Sequence, residues 1–515
     1  MKFKEKILFV ILILILSVAL YGCSGDKDNL ETEHTPAADE GNDVPTYGGS
    51  IVVGITQDLD SLDPHKAVAA GTKEVLFNIF EGLVKPDESG DLIPAVARDY
   101  DISEDGKVYT FYLRPGVKFH NGDEVTVEDL MFSLDRYISL NEETEPVLSN
   151  ISEVNKIDDE TIEIILKETD TELIGYLTIG IIPEGYEDAA TKPIGTGPFK
   201  FDSYTPMESL KVVKSEDYYL DGVPYLDEVV FKVITNPDSV IIDLLSGSID
   251  ILAYLTSNQA EQLKNDFNIE EGNMNLVQAL FLNNDVAPFN DLKVRQAIYY
   301  GIDRYGLLDM VASGKGEIIG TNMFPGFSKY YNEDVKDLYE YNPDKAKDLL
   351  AEAGYPNGFS FSITVPSNYQ YHIDTAQVIV EQLKQIGLDV SITQVEWATW
   401  LSDVYAGRNY ESTVIGLDAK LAPRNVLERY HSQASDNFVN YSNQEFDVIF
   451  DQAIRTTDDE EKVVYYKELQ EILAKDAASI YIQDPANLVA INKDVGGYTF
   501  YPVYVVDMSK VYYKE

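Results

Sequence analysis

The sequence predicts an α/β protein in which helices layer onto sheet. Strand-like and helix-like segments alternate along its second half, the pattern of such layers. Its apolar share, 44%, is enough for a packed core. Its 515 residues leave room for two or three domains.

The first segment is not part of that body. Lys2, Lys4 and Lys6 precede an uncharged run over 7–20 that ends just before Cys23, the only cysteine. As a helix that run covers roughly 21 Å, short of the ~30 Å hydrocarbon core, and fits a leader's apolar region better than a membrane span. A lone cysteine cannot pair, so a disulfide framework is excluded. Residues 24–46 are acidic, carry Pro36 and Pro45 and show no apolar period. They read as a disordered linker that self-repulsion extends.

The body begins with Ile51-Val52-Val53-Gly54-Ile55, a buried strand. Residues 71–81 read as a helix with Val75, Leu76, Ile79 and Phe80 on one face. Residues 107–113, KVYTFYL, alternate as a strand. Thr126-Val127-Glu128-Asp129 is a capping box that opens a helix carrying Leu130, Met131, Leu134 and Tyr137. Asn342-Pro343 starts a helix that Gly354 stops. A strand at 359–365, a helix at 375–386 closed by Gly387, a strand at 388–395 and a long helix at 458–475 complete the alternation.

Asp and Glu total 88 against 40 Lys and Arg, a formal net charge of −48. Such a surface repels nucleic acid and anionic lipid. Neither a G-x-S-x-G elbow nor an H-E-x-x-H motif occurs. His34, His65, His120, His372 and His431 are scattered, without metal-ligand spacing. Gly195-Thr196-Gly197-Pro198 fails the phosphate-loop spacing at Lys200 and reads as a tight turn into a strand. His120, beside Asn121-Gly122, reads as a hydrogen-bonded turn histidine. Asp58, Asp60 and Asp63 lack the glycine and distal glutamate of a calcium loop and read as turn and cap residues. The reading is of a protein that is not an enzyme and carries no cofactor or metal.

Five stretches, in order and at consistent spacing, resemble the extracytoplasmic solute-binding proteins of peptide and nickel ABC importers. They are Leu62-Asp63-Pro64-His65 with Phe80-Glu81-Gly82-Leu83; YLRPGVKFHNGDEVTVED at 112–129; Gly195-Thr196-Gly197-Pro198-Phe199; LKVRQAIYYGIDR at 292–304; and YNPDKAKDLLAEAG at 341–354. Leu20, Gly22 and Cys23 likewise resemble a lipobox, with Tyr21 departing from its small residue.

The resemblance implies the large type II periplasmic-binding fold: two lobes joined by crossing strands, with a subdomain inserted in the first. Lobe I would be 47–65, 190–275 and 483–515, the inserted subdomain 66–189 and lobe II 276–482. Residues 1–22 would be the signal peptide and 23–46 the linker, tethered through an acylated Cys23. The lobes would close by hinge motion on a solute and present it to ABC permease subunits. The protein would be a monomer on the outer face of the cytoplasmic membrane, in a Gram-positive-type bacterium or a periplasm.

For the site, the resemblance implies Trp397, in TQVEWATWL at 393–401, as a cleft wall, with Trp400 in packing. It implies Val68, Ala69 and Ala70 as a bordering loop. Peptide binders hold the ligand amine on an aspartate after a glycine-tryptophan pair; here 414–427 reads VIGLDAKLAPRNVL, with Leu417 in place of tryptophan. Asp418 facing the cleft implies an amine-bearing ligand; Lys420 or Arg424 facing it implies an anion or a carbonyl. A dipeptide or oligopeptide is the implied cargo. The alternatives are an oligosaccharide, which the 35 tyrosines could stack, a metal chelate, an anionic solute, or a peptide-signal sensor built on the same fold, with a hydrolase ranked after these.

Overall fold

The computed structural model describes residues 44–515 apart from 143–144, 235, 237–238 and 419–420. The leader, the linker up to residue 43 and Cys23 therefore lie outside the described residues, as does Lys420. Pro45–Thr46, at the end of the linker by sequence, already pairs with the terminal strand Tyr512–Lys514. No helix among the described residues is long and apolar enough to cross a membrane.

One 12-stranded mixed sheet runs through both lobes. Its first half contains Phe199–Thr205, Ser209–Lys214, Glu228–Val233, Ser50–Ile55 and Ile251–Leu252. Its second half contains Val277–Leu282, Ser412–Leu417, Ser360–Pro366 and Asp389–Val395. The strand Ile480–Asn492 belongs to both. Its beginning pairs with Val277–Leu282 (Leu280 opposite Ile480), and its end pairs with Phe267–Asn273 (Phe267 opposite Asn492). The chain thus crosses between lobes at 273–277 and at 483–486, the crossing strands the sequence reading expects.

The cores follow the lobes. Ile51, Phe199, Val229, Phe231, Val489 and Val511 share one, so the chain returns to the first lobe at its end. A second core spans Val277 to Ile482. A third spans Leu83 to Ile181 and takes Ala422 from the far side. It fills the space beneath a separate four-stranded sheet (97–102, 108–113, 161–166, 151–156) and the helix Val127–Asn141. Strand Val108–Leu113 buries Tyr109, Phe111 and Leu113 on one face, as its alternation requires. The Thr126–Asp129 capping box is present in full.

The helix expected over 71–81 is shorter, Ala70–Leu76. Beyond it the carbonyls of Asn78 and Ile79 accept from Phe199 N (3.0 Å) and Gly197 N (2.9 Å). A tertiary partner therefore takes bonds that the next helical turn would use. This is also the role of Gly195 and Gly197: a Cβ there would stand 2.1 Å from Ile79 O and 2.6 Å from Asn78 O. His120 locks the same turn, accepting from Gly195 N at 3.3 Å through Nδ1 and donating to Gly197 O at 3.0 Å through Nε2. Burial lowers its pKa to about 4, so it stays neutral there. The helix expected over 375–386 begins earlier, at Gln370.

The other motif residues are also structural pins. Arg136 donates to Asp63 Oδ1 (3.0 Å) and His65 Nδ1 (2.7 Å), while His65 Nε2 donates to Gly180 O at 2.8 Å. The motif Leu62-Asp63-Pro64-His65 thereby ties the first lobe to the inserted subdomain. Arg295 donates to Phe289 O and Asp476 O, both at 2.8 Å, and Arg304 to Ile319 O at 2.7 Å.

Candidate ligand cavity between the lobes

A cavity of about 460 Å³ is lined from 64–86, from Tyr137 and Glu145, from 175–180, from Asp418 and 421–436, and from 503–505. The volume lies within the ~300–1,000 Å³ usual for small-molecule sites. Its floor is apolar, with Leu76, Phe77, Phe80, Ile179 and the valines flanking Tyr504. Its charged groups are Lys73, Glu81, Lys85 and Glu145 on one side and Asp418, Arg429 and Asp436 on the other.

Most of these charges are already engaged. Glu81 Oε1 accepts from Lys85 Nζ (2.6 Å), Tyr218 OH (2.8 Å) and Tyr219 OH (3.1 Å). Glu145 accepts from Tyr137 OH at 2.9 Å. Asp436 is held above the ordinary carboxylate range by burial, with Arg429 working against it. Burial strengthens such interactions and penalises a charge left alone.

The loop after Leu62-Asp63-Pro64-His65 forms one rim. Asp60 holds it, accepting from Val68 N at 2.8 Å and Ala69 N at 3.2 Å. Burial works against the Asp60 charge, but its hydrogen bonds outweigh this and lower its pKa. Val68 and Ala70 line the cavity, and Ala69 acts through its backbone alone.

Bonds across the cleft bring the walls together. Arg424 is bound twice by Glu428 (3.2 and 2.9 Å) and pairs with Asp170, and its backbone N donates to Glu172 at 3.0 Å. Tyr466 donates to the other oxygen of Glu172, and Asn425 reaches Tyr176. Thr171 N donates to Ile454 O at 2.9 Å.

The expected site residues therefore separate. Asp418 lines the cavity with Val68 and Ala70. Arg424 does not, because its guanidinium is saturated by two carboxylates and joins the inserted subdomain to lobe II. Trp397 also lies off the cavity wall. It is 37% exposed, stacks on Trp400 with ring centroids 5.2 Å apart, and meets Tyr369 edge-on at 5.4 Å. Trp400 is in packing, 1% exposed, with Nε1 donating to Thr413 Oγ1 at 2.9 Å. Arg429, Asp436 and Tyr504 line the cavity without being singled out by sequence, and Glu81 is marked only as part of a family motif. No spacing marks them as a site, because they arrive from three separate stretches that only folding brings together. No group of three or more potential metal ligands converges among the described residues.

Comparison with known proteins agrees with this architecture. The chain is 29% identical to an ABC transporter-associated periplasmic binding protein, DppA, of Helicobacter pylori, solved with the peptide STSA. The two superpose with a TM-score of 0.77 over 91% of this chain and 99% of that one. It is 27% identical to the oligopeptide-binding protein AppA of Bacillus subtilis over 97% of each chain. It is 30% identical to heme-binding protein A of Haemophilus influenzae, over 80% of this chain and 83% of that one. The family model for bacterial extracellular solute-binding proteins, family 5, matches residues 91–437. That span holds most of the inserted subdomain, the crossing at 273–277 and the cavity wall that carries Asp418 and Arg429, and the chain belongs to the bacterial extracellular solute-binding proteins of family 5.

Proposed function

We propose that this protein captures short peptides and delivers them to the permease subunits of an ABC importer. The observation that carries this is the cavity between bridged walls, apolar below and charged at its sides, with the Asp418 carboxylate in its wall. An apolar floor takes side chains of varied shape, and a carboxylate wall takes an amine. Relatives named for oligopeptide binding and solved with a peptide support the same reading. It assigns Val68, Ala70 and Asp418 as contacts and Trp397 as an aromatic surface outside the closed cavity. No catalytic role is assigned to any residue.

The relative named for haem binding gives a second reading, a non-peptide solute held in the same cavity. The protein works outside the cytoplasmic membrane as a monomer, held by an acylated Cys23 and the acidic linker.

Native mass spectrometry of the protein isolated gently from its own cells decides between the cargoes. A bound mass that fragments to amino acids is the expected result. A bound tetrapyrrole or sugar would overturn the peptide reading and leave the trap.

A further inference from the structure

In a chain of net charge −48, Arg429 is a buried cation that no carboxylate binds directly, with Asp436 as an electrostatic neighbour in the same cavity. It lines the cavity and is 9% exposed. Its Nη2 donates to Asn425 O at 3.3 Å, and its Nε is buried without a hydrogen-bond partner. Among the described residues it forms no ion pair within 4.0 Å, whereas Arg136 and Arg424 each face carboxylates and Arg295 and Arg304 are filled by carbonyls. A guanidinium has five N–H donors in a planar fork matched to a carboxylate. Four of Arg429's are unspent at a wall where an unpaired charge is costly.

We propose that Arg429 receives a carboxylate of the ligand, so that the cargo is a solute with a free acid group. The assignment rests on the cavity being the binding site, and under the peptide reading it selects peptides with an unblocked C-terminus. A carboxylate suits the site better than a phosphate. Asp418, Asp436 and Glu81 line the same space, and a dianion would meet their repulsion where a zwitterion balances it.

The test is calorimetric titration of the full-length protein with a random tripeptide pool, made once as free acids and once as C-terminal amides. Succinate and maltotriose serve as non-peptide probes. The expected result is that the wild type binds the acids at least tenfold tighter than the amides. R429Q should lose at least tenfold for the acids and little for the amides, erasing the discrimination, and R429K should keep part of it. Equal loss for acids and amides would make Arg429 a packing residue and overturn the proposal. So would an unchanged affinity for the acids, or binding of maltotriose alone. If R429Q fails to fold, the acid–amide ratio of the wild type decides by itself. Succinate bound without either peptide pool, and lost in R429Q, would overturn the peptide reading and keep Arg429. Both pools bound equally, with no effect of R429Q, would do the reverse.

Discussion

Arg424 and Arg429 lie five residues apart on one short helical stretch and have opposite surroundings. Arg424 is held by Asp170 and Glu428; Arg429 faces the cavity. Replacing Arg424 by Gln leaves Asp170 buried without its cation. The expected loss is about 3 kcal/mol, read by urea denaturation, and a change below ~0.5 kcal/mol would show that the tie contributes nothing. Glu74 gives a pH signature. It is buried beside Tyr254, which donates to it, and near Tyr498 and Tyr504. Burial raises its pKa from 4.5 to about 7, the Tyr254 hydrogen bond opposing. The folded state therefore holds this proton more tightly than the unfolded state. The stabilising contribution is complete below pH 4.5 and is lost as pH rises through about 7. Glu74→Gln should remove that slope, on the order of a few kcal/mol, between denaturation curves at pH 5 and pH 8. A wild-type slope unchanged in the variant would show that another group is responsible.

At the scale of elements, the five sequence stretches that carry the family resemblance are mostly joints. Gly195 and Gly197 let one turn lie against the end of the helix Ala70–Leu76, and His120 locks it. Gly195→Ala should destabilise by about 3 kcal/mol or more, since its Cβ would meet Ile79 O at 2.1 Å, inside any tolerable contact. Gly116→Ala is the control. Its φ is +76° with nothing within 4 Å of the added atom, so only the left-handed backbone penalty of about 1–2 kcal/mol applies. Equal losses at the two positions would refute the close-approach account. These joints are legible as a pattern because each sits in an unbroken run of sequence. Their purpose is not legible, because the carbonyl each meets lies outside the motif, as Ile79 O and Asn78 O do for Gly195 and Gly197.

At the scale of the molecule, the strand Ile480–Asn492 belongs to both lobes, and the chain crosses between them there and at 273–277. Asp484 sits on that crossing, fully buried, with Oδ1 accepting from Leu276 N at 3.0 Å. Its pKa is held well above the ordinary range by burial. The cross-cleft bonds of Glu172, Arg424 and Tyr466 hold the cavity's walls together. The tether belongs to the same scale. Cys23→Ala should release the protein into the medium or leave its leader uncleaved, read by fractionation and intact mass. Normal size with unchanged membrane retention would remove the lipid anchor.

Periodicity, caps and turn residues were sufficient to place the helix–strand alternation and most element boundaries, because those signals act over a few neighbouring residues. Motif order was enough for the two-lobed class and the crossing strands. Which charges meet the cavity was decided by tertiary structure alone. Arg424, Arg429 and Trp397 are equally plausible by composition, and only packing shows which guanidinium is already neutralised and which ring stacks outside. Long-range electrostatics and the approach of separated segments have no local sequence signature, since a charge's partners are set by the fold and not by its neighbours in the chain.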